Sequence, residues 1–322
     1  SFLRVSVGHA WKSNAWVQYT KDAAELITKG NGPFIGATLN LDTKINYMNY
    51  NEIYLGLQKE IGPIDLGVRI KRLNGVESIK TNNSDLSLTT SDDIYQLTLD
   101  SDYQLQSSST FDYTDFSNFD LDLQNFSTSN ILSDNGGWAI DLGAAASLGD
   151  RVEVSLSVVD IGSINWDLDP KTYTTKKTQS FDGLDISEIF TDEEFVLLDS
   201  LEAILDLEES PENFATTLPM QIYLGGTFRI NNLWKVGAIL QSVGTGDRQR
   251  SALGLNATAS IFDWLSIGGM YSARNGSAFN LGLNVAASVG PVKGFLATDN
   301  ITSIVDVGGS STNLRIGLSL SI

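Results

Sequence analysis

Cysteine is missing from all 322 residues, and histidine occurs once, as His9. The first absence excludes disulfide staples, thiolate metal sites and cysteine nucleophiles. The second excludes multi-histidine metal sites and most imidazole acid–base chemistry. Proline (6) and methionine (3) are scarce, and 21 basic residues face 39 acidic ones, for a net charge of -18. So acidic a chain lacks the basic stripe of a nucleic-acid binder and a broad basic face for anionic headgroups. No apolar run nears the ~20 residues of a membrane helix. The opening "SFLRVSVGHAW" has no charged leader, apolar core or small-residue cleavage site. It reads either as a cytosolic chain or as one already stripped of a signal peptide.

What is present is alternation. In "NLRIGLSLSI" the aliphatics Leu314, Ile316, Leu318, Leu320 and Ile322 interleave with Arg315, Gly317, Ser319 and Ser321. The same period of two runs through "SALGLNATASIF", "FNLGLNVAASV", "LPMQIYLGGTFRIN", "AIDLGAAASL" and "VEVSLSVV". Segments near ten residues with one apolar and one small or polar face suit strands of a membrane barrel, which need ~9–11 residues. A soluble β-sandwich writes the same alternation. Three features weigh against it: the regular spacing of links, the near absence of charge on the polar faces, and the aliphatic terminal strand.

The links alternate in length. Very short ones fall at "EIGPI", "LGDRV", "INNLW", "FDWLS" and "SVGPV". Longer ones span 74–137, 162–216, "GTGDRQ", "SARNGS" and "TDNITSIVDVGGSST". Short periplasmic turns and long extracellular loops have this rhythm, and the count is about twelve strands. The reading is one all-β, transmembrane antiparallel barrel over 1–322. The segments 74–137 and 162–216 are expected to be large acidic extracellular loops. Residues 81–150 hold twelve Asp and no Lys or Arg, and 178–228 hold twelve acids and no Lys or Arg. In the first, "IYQLTLDSDYQL" could extend a hairpin above the membrane. In the second, a helix is expected over 186–207, striped by Phe195, Leu198, Leu201 and Leu205. A shorter helix is expected at "KDAAELITKG". Trp234 and Trp264 beside short links, and Trp138 and Trp166 beside long ones, suggest two aromatic girdles. Trp11 and Trp16 fall inside a strand and outside that explanation.

Chemistry candidates are few. His9 has no nucleophile motif beside it, there being no G-x-S-x-G, and reads as structural. No catalytic residue, cofactor or metal is expected. The acid runs "SDDIYQLTLDSD" and "DYTDFSNFDLDL" could order loops around Ca²⁺, but lack EF-hand spacing and read first as solvated surface. "TDEEF" reads as the wet face of its helix. Arg69 and Lys71 share a strand face that must be lumen or headgroup, since a charge facing lipid at the midplane costs ~2–4 kcal/mol. They could draw an anionic ligand; pairing with lumen carboxylates such as Asp65 or Asp141 is the preferred reading. The final strand, Leu314 to Ile322, is expected to carry the insertion signal and to close the barrel against the first.

"GNGPFIGATLNL", "NEIYLGLQKEIGPIDLGVRIKRLNGVESIKTNNSDLSL", "GGWAIDLGAAASLGDRVEVSLSVVDIGSINW", "TLPMQIYLGGTFRI" and "GPVKGFLATDNI" resemble an outer-membrane family of Bacteroidota with no assigned function. That family resembles the long-chain fatty acid transporter superfamily. The resemblance implies fourteen strands, with further sequence ahead of "SFLRVSVGHAW". It implies location in the bacterial outer membrane, in contact with its lipid. The role it implies is a non-enzymatic channel or transporter for a small hydrophobic or amphipathic solute. The alternative is a docking subunit of a larger outer-membrane complex, with partner subunits.

Overall fold

The computed structural model describes residues 3–93, 96–108, 135–181, 207–245, 248–274, 277–298, 301 and 314–320. Among them the chain is nearly all strand. The strands are β1 (Leu3–Tyr19), β2 (Thr38–Asn40), β3 (Thr43–Ile61), β4 (Ile64–Thr90), β5 (Leu97–Ser108), β6 (Gly136–Leu148), β7 (Val152–Trp166), β8 (Pro170–Phe181) and β9 (Glu208–Ser210). There follow β10 (Phe214–Thr217), β11 (Gln221–Arg229), β12 (Trp234–Thr245), β13 (Arg248–Phe262), β14 (Leu265–Arg274), β15 (Ser277–Val289), β16 (Val292–Thr298) and β17 (Leu314–Leu320). One α-helix, α1 (Lys21–Lys29), follows β1. Its cap is Thr20, whose hydroxyl accepts from the Ala23 N–H at 3.1 Å, as a threonine before a helical run should. Among the described residues no helix is long and apolar enough to cross a membrane.

Twelve of the strands form an antiparallel up-and-down meander: β1, β3, β4, β6, β7 and then β11 to β17, each paired with the next. The two edges are β1 and β17. Among the described residues β17 pairs with β16 alone and β1 with β3 alone, so the expected closure of β17 against β1 is not seen among them. Five tight turns, at 62–63, 149–151, 230–233, 263–264 and 290–291, all lie at one end, the turn end. Three of them use Gly62, Gly149 and Gly290 at φ near +60, a region where a Cβ is penalised. The turn before β12 uses Asn231 instead, whose side chain accepts from the Leu233 and Trp234 N–H groups.

Directly paired residues share a face, so the registers trace both faces of the sheet. The outward face carries Val5, Val7, Leu55, Ile70, Ile140, Leu142, Leu156, Leu224, Leu255, Leu283, Leu296 and Ile316, all exposed. The inward face is small or polar. From Trp138 to Leu148, both outward, the strand rises about 33 Å at ~3.3 Å per residue. A tilt of ~40° makes that roughly 25 Å of height, the apolar band of a membrane barrel. Trp234, Trp264 and Phe262 ring the turn end, Trp264 stacking on Phe262 at 5.6 Å. Trp138 stands at the other rim, 61 % exposed. Trp166 departs from the expected girdle. It is fully buried inside the sheet, its indole N–H donating to Thr216 Oγ1 at 3.1 Å.

Beyond the far rim part of the sheet continues. β4 is 27 residues long and changes neighbour: residues 64–74 pair with β6, and 78–90 with β5. β5 pairs with β8, and β8 with β9. The described parts of 74–137 and 162–216 are therefore largely strand. Their Asn, Ser, Thr and Lys content disguised them, because polar residues stand on both faces among the few packed apolar ones. Leu88, Leu97 and Leu99 form a small core there, against Leu26 of α1. The helix expected over 186–207 lies outside the described residues, apart from Leu207.

Candidate functional site

Inside the sheet, β1, β3, β4, β6 and β7 converge on six charges. Alternation points Lys12, Glu52, Arg69, Lys71 and Asp141 inward; Asp160 arrives by a different route. Opposite Asp141 the ladder between β6 and β7 shifts register, two β7 residues standing against one. Such a bulge re-aims a side chain. Asp160 takes φ 63 there, a left-handed conformation that Asp tolerates better than most residues. Its N–H donates to Asp141 Oδ1 at 2.9 Å, and its carboxylate turns into the lumen.

Lys71, 1 % exposed, is the centre. Its Nζ lies 2.6 Å from Asp141 Oδ1, 2.6 Å from Asp160 Oδ1 and 3.8 Å from Glu52 Oε2. Lys12 Nζ reaches Glu52 Oε2 at 3.1 Å and Asp160 Oδ1 at 3.3 Å. Arg69 Nη1 is 3.6 Å from Asp141 Oδ2, and its guanidinium sits 4.3 Å over the Tyr54 ring. Three cations meet three carboxylates, so the layer is formally neutral. In a low-dielectric setting such a set holds only while complete, because losing one partner strands a buried charge.

Of the residues singled out from sequence, Arg69, Lys71 and Asp141 are thus brought together. Asp65 stands nearer the turn end, bonded by Gln58 Nε2 at 2.5 Å and 4.0 Å from Arg4. Leu314, Ile316, Leu318 and Leu320 lie outward and Arg315, Gly317 and Ser319 inward, by register with β16; Ile322 lies outside the described residues. His9 is on the outward face of β1, opposite Ile53. Among the described residues no group of His, Asp and Glu is arranged to hold a metal ion; "TDEEF" and "DYTDFSNFDLDL" lie outside them. Lys12, Glu52 and Asp160 escaped sequence reading. Their partners are up to 148 positions away, and the bulge that turns Asp160 inward leaves no mark in the alternation.

Two further layers flank the charges. Toward the far end Met48, Tyr50, Leu73, Ile164, Trp166 and Phe214 form a dry cluster. It is pinned by Asn135, whose Oδ1 accepts from the Asp167 and Leu168 N–H groups while its carbonyl accepts from the Gly75 N–H. Toward the turn end the lumen opens into a cavity of about 410 Å³, lined in part by Ser6, Gln58, Asp65, Ser155 and Ser157. On the opposite wall, β12 to β17 line a second cavity of about 410 Å³. Ile239, Met270 and Phe295 give it apolar surface, and Gln241, Asn284 and Arg315 polar ends.

An up-and-down sheet with an apolar exterior, a small and polar interior and its charge cluster in the lumen is that of a transmembrane β-barrel. The chain belongs to the family of unknown function DUF5723, whose model matches residues 2–299. No curated protein matches it. Among solved structures it is similar to the Pseudomonas putida toluene transporter TodX, at 10 % identity and a TM-score of 0.43, over 92 % of this chain and 72 % of that one. It is also similar to the Ralstonia pickettii toluene transporter TbuX, at 10 % identity and a TM-score of 0.37, over 99 % and 90 %. A mutant porin of Rh. blastica matches at 10 % identity and a TM-score of 0.32, over 98 % and 90 %.

Proposed function

We propose that this chain is a bacterial outer-membrane β-barrel that passes a small hydrophobic or amphipathic solute, and that it is not an enzyme. In this reading the tight turns face the periplasm and the extended sheet stands outside the cell, because outer-membrane barrels keep short turns inside and long connections outside. The observation that carries the reading is the mixed lining of the second cavity. Ile239, Met270 and Phe295 offer apolar contact, and Gln241, Asn284 and Arg315 offer polar anchors beside it. A solute site is typically such a concave, mainly apolar surface with a few placed polar groups. The charged layer and the buried cluster fill the lumen beside β1 to β7, so in this reading a solute runs along the β12–β17 wall. Nothing among the described residues favours a docking subunit over this reading.

Reconstitution into liposomes tests it. The expected result is protein-dependent uptake of a medium-chain amphiphile, slowed when Met270 or Phe295 is replaced by a charged residue. A sealed barrel, with neither uptake nor conductance, contradicts the reading.

A further inference from the structure

Two charges of the meander face outward: Lys59, which pairs with the exposed Leu3 and Leu66 beside the turn end, and Arg72 at the opposite rim. Its neighbours Lys71 and Leu73 are inward, so Arg72 points outward, directly opposite Ile53 on one side and Trp138 on the other. Ile70, Ile140 and Ile161, all exposed, lie just below it on the same face. Arg72 therefore stands at the upper rim of the apolar band. At the midplane an outward arginine costs ~2–4 kcal/mol, falling toward zero near the interface, so its level is tolerable but still needs an anion or water.

The side chain is held in place. Its guanidinium carbon lies 5.5 Å from the centroid of the Trp138 ring, and Nη1 donates to the Gly137 carbonyl at 3.3 Å. Gly136 lets it lie close against the backbone, since a Cβ there would come within 2.5 Å of Nη2. A guanidinium has five N–H donors, so one bond to a carbonyl leaves a donor edge. The exposed outward residues around it, Ile53, Ile70 and Trp138, include no carboxylate, and Asn74 above it is buried, its Nδ2 donating to Asn51 Oδ1 at 3.2 Å. Every acid of the charged layer points the other way, into the lumen.

We propose that Arg72 and Trp138 form a binding site for the phosphate of an outer-leaflet lipid headgroup. The planar fork of the guanidinium matches two phosphate oxygens. The exposed indole fixes the guanidinium and packs the sugar or glycerol backbone at the level where tryptophan prefers to sit. The isoleucines below receive the acyl chains. This rests on the orientation given under Proposed function, because only then does this rim meet the outer leaflet.

The test is native mass spectrometry of the folded full-length chain. The lipids are a phosphorylated glycolipid and its dephosphorylated form with identical acyl chains. The wild type is expected to retain the phosphorylated lipid about tenfold better, the size of one charge-assisted pair. R72Q is expected to erase that preference and R72K to weaken it, since a single ammonium replaces the fork. Equal retention of the two lipids by wild type, or an undiminished preference in R72Q or R72K, overturns the site. Should R72Q fail to fold, R72K carries the test alone. Protease access to the far-end strands on intact cells reports orientation separately. Access only from the periplasm would overturn the proposed orientation and the site with it, whereas a correctly oriented barrel with no phosphate preference overturns the site alone.

Discussion

Lys12 Nζ lies 3.3 Å from Asp160 Oδ1, although their strands stand four places apart in the meander. Four inter-strand steps along a flat sheet amount to about 19 Å, more than these side chains can bridge. The pair therefore records how tightly the sheet curls around its interior charges. Lys71 fills the space between them and touches both sides of the curl.

Lys71 should thus be the most sensitive position in the lumen. K71Q leaves Glu52, Asp141 and Asp160 opposite only Lys12 and Arg69, and should cost about 3–5 kcal/mol. The cost is read as an earlier heat transition from the fast to the slow gel form. Adding D160N restores neutrality, so the double variant should be less destabilised than the sum of the two changes. Strict additivity would show that the six charges do not act as one layer.

Gly75 lies where β4 changes neighbour. A Cβ there would come within 2.6 Å of the Trp166 ring, which is too close for either residue to absorb. G75A should destabilise by about 1–3 kcal/mol, the usual penalty of overpacking. In a W166L background the same change should cost less. An equal cost in both would assign the glycine to backbone conformation instead of the indole.

Outside the apolar band, Tyr47 donates to Glu77 Oε2 at 2.8 Å. Burial first, and then the carboxylate, push the phenol up from 10.0 to about 12. The neutral phenol is the form the fold prefers. Its contribution to stability is complete below pH ~10, the unfolded value, and is lost as pH rises through the folded value near 12. Tyrosinate absorbance, taken as wild type minus Y47F, should show a midpoint displaced upward, and E77Q should bring it part of the way back. A midpoint at the ordinary value would mean that the phenol is open to water.

The exposed aliphatics separate a lipid-facing wall from a wet one. Leu318 is 82 % exposed. In water its replacement by arginine would cost almost nothing. Facing acyl chains, L318R should cost about 1–2 kcal/mol, less than the ~2–4 kcal/mol of the midplane because Leu318 lies two residues from the turn-end residue Leu320, while the inward S319R should be tolerated. Refolding into vesicles at graded urea reads the difference, and equal tolerance at both positions would place this strand in water.

Period two made most of this legible in advance. Wherever one face meets lipid and the other a lumen, each residue's side is written in its parity, as in β12 to β17. Arg69, Lys71 and Asp141 could be set on one face because β4 and β6 alternate without interruption up to Ile140. What stayed hidden arises where parity breaks or stops mattering. The bulge at Asp160 resets parity within β7. The upper half of β4 has polar residues on both faces, so it reads as loop. Trp166 sits at a strand end like Trp138 but on the inward side of the bulge, which turns an expected girdle residue into core. Asn135 ties Gly75 through its main-chain carbonyl, and Ser108, Asp167 and Leu168 through its side chain, by bonds that no local pattern encodes.

Because the chain has no cysteine, the central claim of lipid outside and lumen inside can be tested one residue at a time. Single cysteines at Arg315, Ile316, Leu318 and Ser319 in the vesicle-reconstituted protein are treated with a membrane-impermeant maleimide. The account predicts labelling at 315 and 319, and protection at 316 and 318 until detergent is added. Equal labelling at all four positions from the aqueous side would contradict it.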